Sequence, residues 1–283
     1  MATIGIDIAA VDGNGTPDWN RARADGRLRY VGLRAAYGSS PDTWYPTYRT
    51  QLDAIGVPNF AYLFLRANVD TPELQAQRLL AAVGTLNNHY FPPAIDVEGD
   101  RNGLTATEWL DWVIRAKRLV QAAIGVPPLL YSAHTYWIDP AGMNSLPAPE
   151  LSDCTPWPKY WPFPVHSLAQ YDPAVVDKLA PPPGLPPCGN AWIIQQFQGD
   201  AIGYPGFKST VDMNRVNVQR QGDSGDSVRW VQRRLPGLTV DGIFGPKTAE
   251  VVKAFQTLKR ITPDGIVGLD TTQLLAWVTP RVA

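Results

Sequence analysis

The sequence predicts an α/β fold built on parallel strands, followed by a small all-α domain. Over the first 216 residues, apolar strand-like runs alternate with helical stretches, which is typical of parallel strands joined by crossover helices. This pattern fits either a closed barrel or a doubly wound sheet. No G-x-G-x-x-G motif follows the first strand, which disfavours a dinucleotide-binding sheet. Beyond residue 216 a short motif repeats, as expected of a separate helical unit.

Each predicted element has its own signal in the sequence. Thr71 and Pro72 form an N-cap and first-position pair for a helix that ends near Gly84. A second helix begins at Thr105, where Thr105-Ala-Thr-Glu108 fits a capping box. A third helix is expected near 45–55. Strands are predicted at 4–10, 29–38, 59–67, 94–98, 127–133, 191–197 and 209–216.

Two segments fall outside this alternation. Residues 139–190 are irregular and rich in proline and tryptophan, so we expect long loops over the barrel mouth. Near the C-terminus, DGIFGPKT (241–248) matches DGIVGLDT (264–271), and each follows a helical V-x-x-[VF]-Q pattern. The glycines suit turns with positive φ. The predicted division is therefore a barrel over residues 1–216 and a helical domain over 217–283.

Composition limits the function classes. The net charge of −1 gives no basic stripe for nucleic acid, and no apolar run is long enough to span a membrane. The N-terminal MATIGIDIAA lacks a basic segment before an apolar core, so we expect no secretory signal. Cys154 and Cys188 fit one disulfide or two thiols, and no metal or cofactor is expected. We expect a monomer.

The segment PPAIDVEGD (92–100) carries the clearest chemistry, because Asp96 and Glu98 lie two residues apart on a predicted strand. Side chains two apart on a strand share a face, which separates these two by about 6–7 Å at Cβ. Like charges this close raise one pKa, giving a protonated acid beside an ionised one. Glycoside hydrolysis uses such a pair. The alternative is that both acids are solvated side chains at the end of the strand and have no catalytic role. The D-x-E pattern taken alone favours this alternative.

Further residues shift the balance toward a catalytic site. Asp7 ends the first predicted strand and Asp212 lies in the last, and these strands are neighbours in a closed barrel. The strand before Asp96 is apolar, which implies burial beside the acids. Aromatic rings at other strand ends suit the faces of sugars, although packing explains each ring singly. These are Tyr37, Tyr62, Phe64, Tyr131 and Phe197.

Several segments resemble the lysozymes of glycoside hydrolase family 25. The resemblance covers about the first 216 residues, and the D-x-E strand, the first-strand Asp and the terminal V-D-x-N together are fairly specific. The C-terminal repeat is similar to the type 1 peptidoglycan-binding domain. The segments are GIDIA (5–9), AYLFLRANVDTPELQAQRLL (61–80), PAIDVEG (93–99), LLYS (129–132) and WIIQQFQGDAIGYPGFKSTVDMNRV (192–216).

The resemblance implies a modified (β/α) TIM-like barrel that cleaves the β-1,4 bond between N-acetylmuramic acid and N-acetylglucosamine. Glu98 would be the general acid/base, and Asp96 would orient the substrate's 2-acetamido group or stabilise charge. Asp7 and Asp212 would complete the acidic cluster. Whether an acetamido oxygen or a carboxylate attacks the sugar stays open.

The resemblance also suggests substrate-binding residues. Tyr62 and Tyr131 match strand-end tyrosines of the family. Gln196 matches the glutamine of the family's W-Q-Y, although different residues flank it here. Arg34 stands where other members often carry lysine, and it either pairs with the acids or is structural. Trp137, Trp157 and Trp161 belong to an insert without a counterpart: core or loop packing is the favoured role, and extension of the glycan groove is the alternative.

The predicted function is that of a retaining muramidase with an appended wall anchor, acting on bacterial peptidoglycan. Such an enzyme, made in the host bacterial cytoplasm without a signal peptide and reaching the wall after release, would be a phage endolysin. A bacterial autolysin exported by another route stays open. A non-catalytic wall-binding protein is the main alternative, but it would be expected to have lost some of the four acids. A hexosaminidase or chitinase fits the wall-binding tail poorly.

Overall fold

The computed structural model describes residues 3–86, 90–162 and 172–281. In these ranges the strands are β1 Ile4–Ile8, β2 Val31–Tyr37, β3 Ser40–Pro41, β4 Asn59–Phe64, β5 Ala94–Asp96, β6 Leu129–Ala133, β7 Thr155–Lys159, β8 Ile194–Ala201 and β9 Val211–Val216. The helices are α1 Trp19–Ala24, α2 Tyr45–Ala54, α3 Pro72–Val83, α4 Ala106–Ile124, α5 His134–Ile138, α6 Pro173–Val176, α7 Asp226–Arg234, α8 Pro246–Leu258 and α9 Leu269–Ala276.

The strands form a closed barrel, which decides between the two predicted architectures. The sheet runs in the order β1-β9-β8-β7-β6-β5-β4-β2, and β2 pairs back with β1 to close it. β3 is a short hairpin partner of β2. Pairings are parallel from β1 through β2 and β4 to β8, whereas β9 is antiparallel to both its neighbours. Asp7 therefore lies directly opposite Asp212 in the ladder.

One barrel strand falls in the segment predicted to be loop. β7 contains Pro156 and Pro158, and proline normally argues against a central strand because it donates no ladder hydrogen bond. In β7 the prolines alternate with residues that carry a backbone N–H. On the β6 side, Thr155 N donates to Pro128 O. Pro156 faces the β8 side, where its carbonyl accepts from Ile193 N. On that side β7 pairs with β8 only through Lys159. The missing donors therefore face the weakly paired neighbour.

The predicted helix signals hold. Thr71 Oγ1 accepts from Leu74 N at the start of α3. Thr105 and Glu108 form the reciprocal capping box of α4, with Glu108 Oε2 accepting from Thr105 N. The apolar face of α4 packs into the core of the barrel domain through Trp109, Val113, Ala116 and Val120. These caps fix where the crossover helices begin, and hence the loops at the barrel mouth.

The C-terminal repeat is organised around two glutamines. Gln232 Nε2 donates to Asp241 Oδ1 at 2.7 Å, while its Oε1 accepts from Gly242 N at 2.8 Å. Gln256 makes the same two bonds to the second turn, to Asp264 Oδ1 and from the following glycine N, both at 2.8 Å. The repeated glutamine thus fastens the repeated Asp-Gly turn to its helix, and the turn residues are structural.

The C-terminal helices pack against the barrel at the end where the parallel strands begin. Leu129, at the start of β6, and Ile193, immediately before β8, share one apolar cluster with Trp230 and Leu275 from α7 and α9. Trp277 Nε1 donates to the carbonyl just before β5 at 2.6 Å. The helical region therefore covers the barrel end opposite the C-terminal ends of the parallel strands. No helix in the described ranges has the length and apolarity needed to span a bilayer.

Candidate active site

The four predicted acids meet at the barrel mouth. Asp7 lies near the C-terminal end of β1, Asp96 is the last residue of β5, and Asp212 lies at the start of the antiparallel β9. They line one cavity of about 130 Å³ together with Glu98. The same cavity is lined by the other predicted site residues, Arg34, Tyr62, Tyr131 and Gln196. The structure thus brings every predicted site residue to a single cleft.

Glu98 lies beyond the strand on which it was predicted. β5 ends at Asp96, because ladder pairing with β6 stops there. Val97 N still donates to Tyr131 O at 2.9 Å, so the chain stays extended for one more residue. Val97 is buried on the opposite side, and the Glu98 side chain retains 25% exposure. Glu98 is therefore accessible from the cleft, whereas Asp96 is only 4% exposed.

Lys159 contacts Glu98 and was missed from the sequence. Lys159 Nζ lies 2.9 Å from Glu98 Oε2, and the ammonium lies 4.4 Å from the ring centroid of Trp161. Burial alone would lower the pKa of Lys159, but the Glu98 and Asp96 charges outweigh burial and the net shift is upward. Lys159 ends β7, the strand hidden by its prolines. With β7 assigned, Lys159 lies at the C-terminal end of its strand, as Asp96 does on β5.

Asp7 is held by two amide side chains. Asn214 Nδ2 donates to Asp7 Oδ2 at 2.6 Å, and Gln196 Nε2 donates to the same oxygen at 3.2 Å. Trp157 Nε1 fixes Asn214 by donating to its Oδ1 at 2.7 Å. Burial, and then the Asp212 charge, raise the pKa of Asp7 well above its usual range. Asp7 is thus a rigid buried acid at the base of the cleft.

Gln196 connects both sides of the cluster. Its Oε1 accepts from Tyr131 Oη at 2.9 Å and from Trp161 Nε1 at 3.0 Å. Its Nε2 donates to Asp212 Oδ2 at 3.0 Å as well as to Asp7. These bonds use the hydrogen-bonding capacity of the amide. Gln196 therefore fixes the positions of the surrounding groups.

Asp212 and Asp96 are both acids with raised pKa. Burial raises the pKa of Asp212 to about 7, although its Oδ1 accepts from Asp200 N at 2.8 Å. Burial, followed by the Glu98 charge, raises the pKa of Asp96 well above its usual range. Asp96 Oδ1 is buried and accepts no hydrogen bond from any described residue. A buried carboxyl oxygen without a hydrogen-bond partner is uncommon in a folded protein.

The remaining predicted residues divide by location. Arg34 Nε pairs with Asp42 Oδ2 at 3.0 Å, so its described ion pair is with a carboxylate outside the predicted acidic cluster. Tyr62 and Tyr131 are buried, and each packs edge-on against Trp157. Phe197 is fully buried in the core, where it has no face for a sugar.

The tryptophans of the unaligned segment have different environments. Trp137 is buried in the core, and Trp157 lies inside the barrel against the cleft. Trp161 is 41% exposed beside Gln196 and Lys159. Among these three, Trp161 presents the accessible surface beside the acids. Cys154 and Cys188 are both free thiols.

Comparison with known proteins gives the family. The family model of glycosyl hydrolases family 25 matches residues 6–150, about half of the chain, and that of a peptidoglycan binding domain matches residues 224–275. An uncharacterized protein of Kitasatospora aureofaciens is 50% identical over 54 residues, which are 17% of this chain. The chain spans 46% of that relative's length.

Solved structures share the fold at low sequence identity. A bacterial lysozyme from Streptomyces coelicolor superposes with a TM-score of 0.60 at 20% identity, over 77% of this chain and 93% of that chain. A family GH25 lysozyme from Aspergillus fumigatus has a TM-score of 0.60 at 20% identity, over 77% of this chain and 94% of that chain. A spore cortex lytic enzyme from Clostridium perfringens has a TM-score of 0.59 at 20% identity, over 76% of this chain and 67% of that chain. With its closed barrel, its convergent acids and the family match, this chain is a glycoside hydrolase that belongs to glycosyl hydrolases family 25.

Proposed function

We propose that this chain is an N-acetylmuramidase that cleaves the β-1,4 bond between N-acetylmuramic acid and N-acetylglucosamine in bacterial peptidoglycan. The observation that carries the proposal is the convergence of Asp7, Asp96, Glu98 and Asp212 in one cleft at the barrel mouth. Active sites of such barrels lie at this end of the strands. A buried acid beside a more accessible one suits glycosidic cleavage.

Glu98 is the proposed general acid and base. Its partly exposed carboxyl reaches the cleft, whereas Asp7 and Asp96 are buried. A general acid has to lie within hydrogen-bond reach of the leaving oxygen, so the accessible group takes this role. Lys159 would hold Glu98 in position between proton transfers, since it lies 2.9 Å from Oε2.

Asp96 is the proposed partner of the substrate's 2-acetamido group. Burial raises its pKa, and a neutral carboxylic acid is a poor nucleophile but a good hydrogen-bond donor. Its Oδ1 has no described partner, which leaves it free for a substrate group. These features favour attack by the acetamido oxygen over attack by a carboxylate, with retention at the sugar carbon. Asp7 and Asp212 support Asp96 and bind substrate.

The proposed domain division is a catalytic barrel over residues 1–216 and a wall-binding domain over 217–283. Attachment to the wall raises the local concentration of substrate, an avidity effect. We further propose a monomer that works at the wall, with release from a phage-infected cell as the route. Detection of the protein in the lysate of an infected host would support that origin, and its secretion by an uninfected bacterium would count against it.

A single substitution tests the catalytic assignment. Glu98→Gln keeps the side-chain shape and removes the titrating group, so we expect wall lysis in a turbidity assay to fall at least about 100-fold. Lys178→Gln, an exposed change outside the cleft, is the control. Circular dichroism and sedimentation with intact walls check that fold and binding persist. Lysis by Glu98→Gln near the wild-type rate would reject the assignment.

A further inference from the structure

A second cavity lies where the C-terminal helices meet the barrel. It has a volume of about 540 Å³ and lies between the segment before β7 and the helix α7. Arg233, Arg234 and Arg281 line it together with Trp230 and Asp153. A neighbouring cavity of about 220 Å³ shares Trp230 and Arg233. This interdomain cleft is at the barrel end opposite the catalytic acids.

The interdomain cleft carries an excess of positive charge, because three arginines line it and Asp153 is the one acid among its described lining residues. Arg233 forms no hydrogen bond or ion pair through its side chain with any described residue, and its Nε is buried. The carboxylate of Asp153 pairs with Lys117 Nζ at 2.8 Å, and its backbone carbonyl accepts from Arg234 at 2.9 Å. Arg281 donates to the carbonyls of Gln232 and Leu238. Three guanidinium groups therefore face the cleft region without a carboxylate partner among the described residues.

Three buried donors on α7 also lack acceptors within the described ranges. They are Arg233 Nε, Arg234 Nε and Trp230 Nε1. Arg234 is only 3% exposed and lies 4.1 Å from the Trp230 ring centroid, and burial lowers its pKa to about 9. Each unsatisfied buried donor costs about 1–3 kcal/mol. One bound oxyanion would supply acceptors and charge together.

The donor set favours a carboxylate. A guanidinium presents two parallel N–H groups that match the two oxygens of a carboxylate. The indole ring beneath Arg234 adds an apolar wall suited to the rest of a peptide. Because peptidoglycan stem peptides carry free carboxylates, the proposed substrate itself provides such a group.

We propose that the interdomain cleft binds a free carboxylate of a peptidoglycan stem peptide, with Arg233 as the principal contact. The choice of this ligand rests on the proposed function, since it assumes that the chain works at the wall. Because the cleft and the catalytic mouth are at opposite ends of the barrel, the bound peptide belongs to a different wall strand from the glycan being cut. The enzyme would then bridge neighbouring strands.

Calorimetric titration of the full chain with a synthetic stem peptide tests this proposal. We expect Arg233→Gln to weaken binding at least about tenfold, and amidation of the peptide's carboxyls to weaken wild-type binding equally. Arg220→Gln, an exposed arginine of the same region outside the cleft, is the matched control and should bind as the wild type does. Turnover of soluble glycan fragments should be unchanged in Arg233→Gln, which also shows that the variant folds.

Three results would overturn the proposal. They are equal binding of the amidated and free peptides, wild-type affinity in Arg233→Gln, and binding of poly(glycerol phosphate) but not of peptide through Arg233. The last result would assign the cleft to phosphate instead. Because peptide binding is measured without glycan cleavage, failure here and failure of the muramidase assignment are distinguishable.

Discussion

Lys159 Nζ lies 2.9 Å from Glu98 Oε2, so a cation from the end of β7 contacts the carboxyl that follows β5. Both side chains are about one-quarter exposed, which leaves the pair at the cleft surface instead of in the core. In the proposed mechanism Lys159 is a positioning residue, because its ammonium holds the Glu98 carboxyl at the cleft surface.

Lys159→Met should lower kcat/KM by about twofold to fivefold. The methionine fills much of the same space, but it cannot make the 2.9 Å contact that holds Glu98 Oε2 in the cleft. The expected loss is small because the pair is partly exposed, and such pairs contribute about 0.2–1 kcal/mol. Initial rates on soluble glycan measure the change. Lys178→Met is the control, and an unchanged kcat/KM in Lys159→Met would contradict the role.

Asp212→Asn should gain stability relative to the wild type as the pH rises. Burial raises the pKa of Asp212 from 3.8 to about 7, so the folded wild type binds more protons than the unfolded chain between these values. Its stabilising contribution is full below about pH 4 and is lost as the pH rises through 7. The asparagine has no charge to bury. The free energy of unfolding of Asp212→Asn, relative to that of the wild type, should therefore rise by about 2–4 kcal/mol and level off above pH 7.

Urea unfolding of both proteins at intervals from pH 4 to pH 8.5 measures this difference. Asp223→Asn serves as the matched control, because Asp223 is an exposed acid of the C-terminal region and no buried charge is removed. A stability difference for Asp212→Asn that stays constant over the whole range would mean that Asp212 is ionised at low pH in the folded chain, against the burial argument.

Asp96→Asn should lower kcat by about 100-fold or more on N-acetylated glycan, with little change in KM. The amide fills the same space and can still form a hydrogen bond, but it is a weaker donor than a carboxylic acid and cannot release or take up a proton. The informative comparison is a matched glycan without acetamido groups. The wild type should cleave it poorly, and Asp96→Asn should lose little more. Equal losses on both substrates would instead point to a direct carboxylate nucleophile.

The whole chain should unfold in a single calorimetric transition, because the C-terminal helices cover apolar residues at the barrel base. Trp277→Phe removes the indole N–H that donates to Tyr90 O together with part of the ring, at a cost of about 1–3 kcal/mol. The single transition should move to lower temperature as a unit. Lys247→Gln, on the exposed side of α8, should leave it in place. Two separate transitions, with only the smaller one affected, would show independent domains.

The parts of the fold that were predicted correctly rest on local signals. Buried parallel strands give continuous apolar runs, which identified β1, β4 and β6, and capping residues located α3 and α4. The four acids could be predicted because the C-terminal ends of barrel strands meet at one mouth, whatever the length of the segments between the strands.

The missed features depend on contacts that no local pattern encodes. β7 was hidden because two of its five residues are proline, and only the weak pairing of its β8 side makes them acceptable. Lys159 was missed with it. The docking of Trp230 and Trp277 beneath the barrel likewise depends on which surfaces meet, so the interdomain cleft had no signal in the sequence.

Mass spectrometry of digested peptidoglycan tests the central claim most directly. Purified walls are digested with the wild type or with Glu98→Gln, and the new reducing ends are reduced with borohydride before analysis. The account predicts reduced N-acetylmuramic acid in the wild-type digest and none above background with Glu98→Gln. Reduced N-acetylglucosamine, or peptides released from intact glycan, would contradict it.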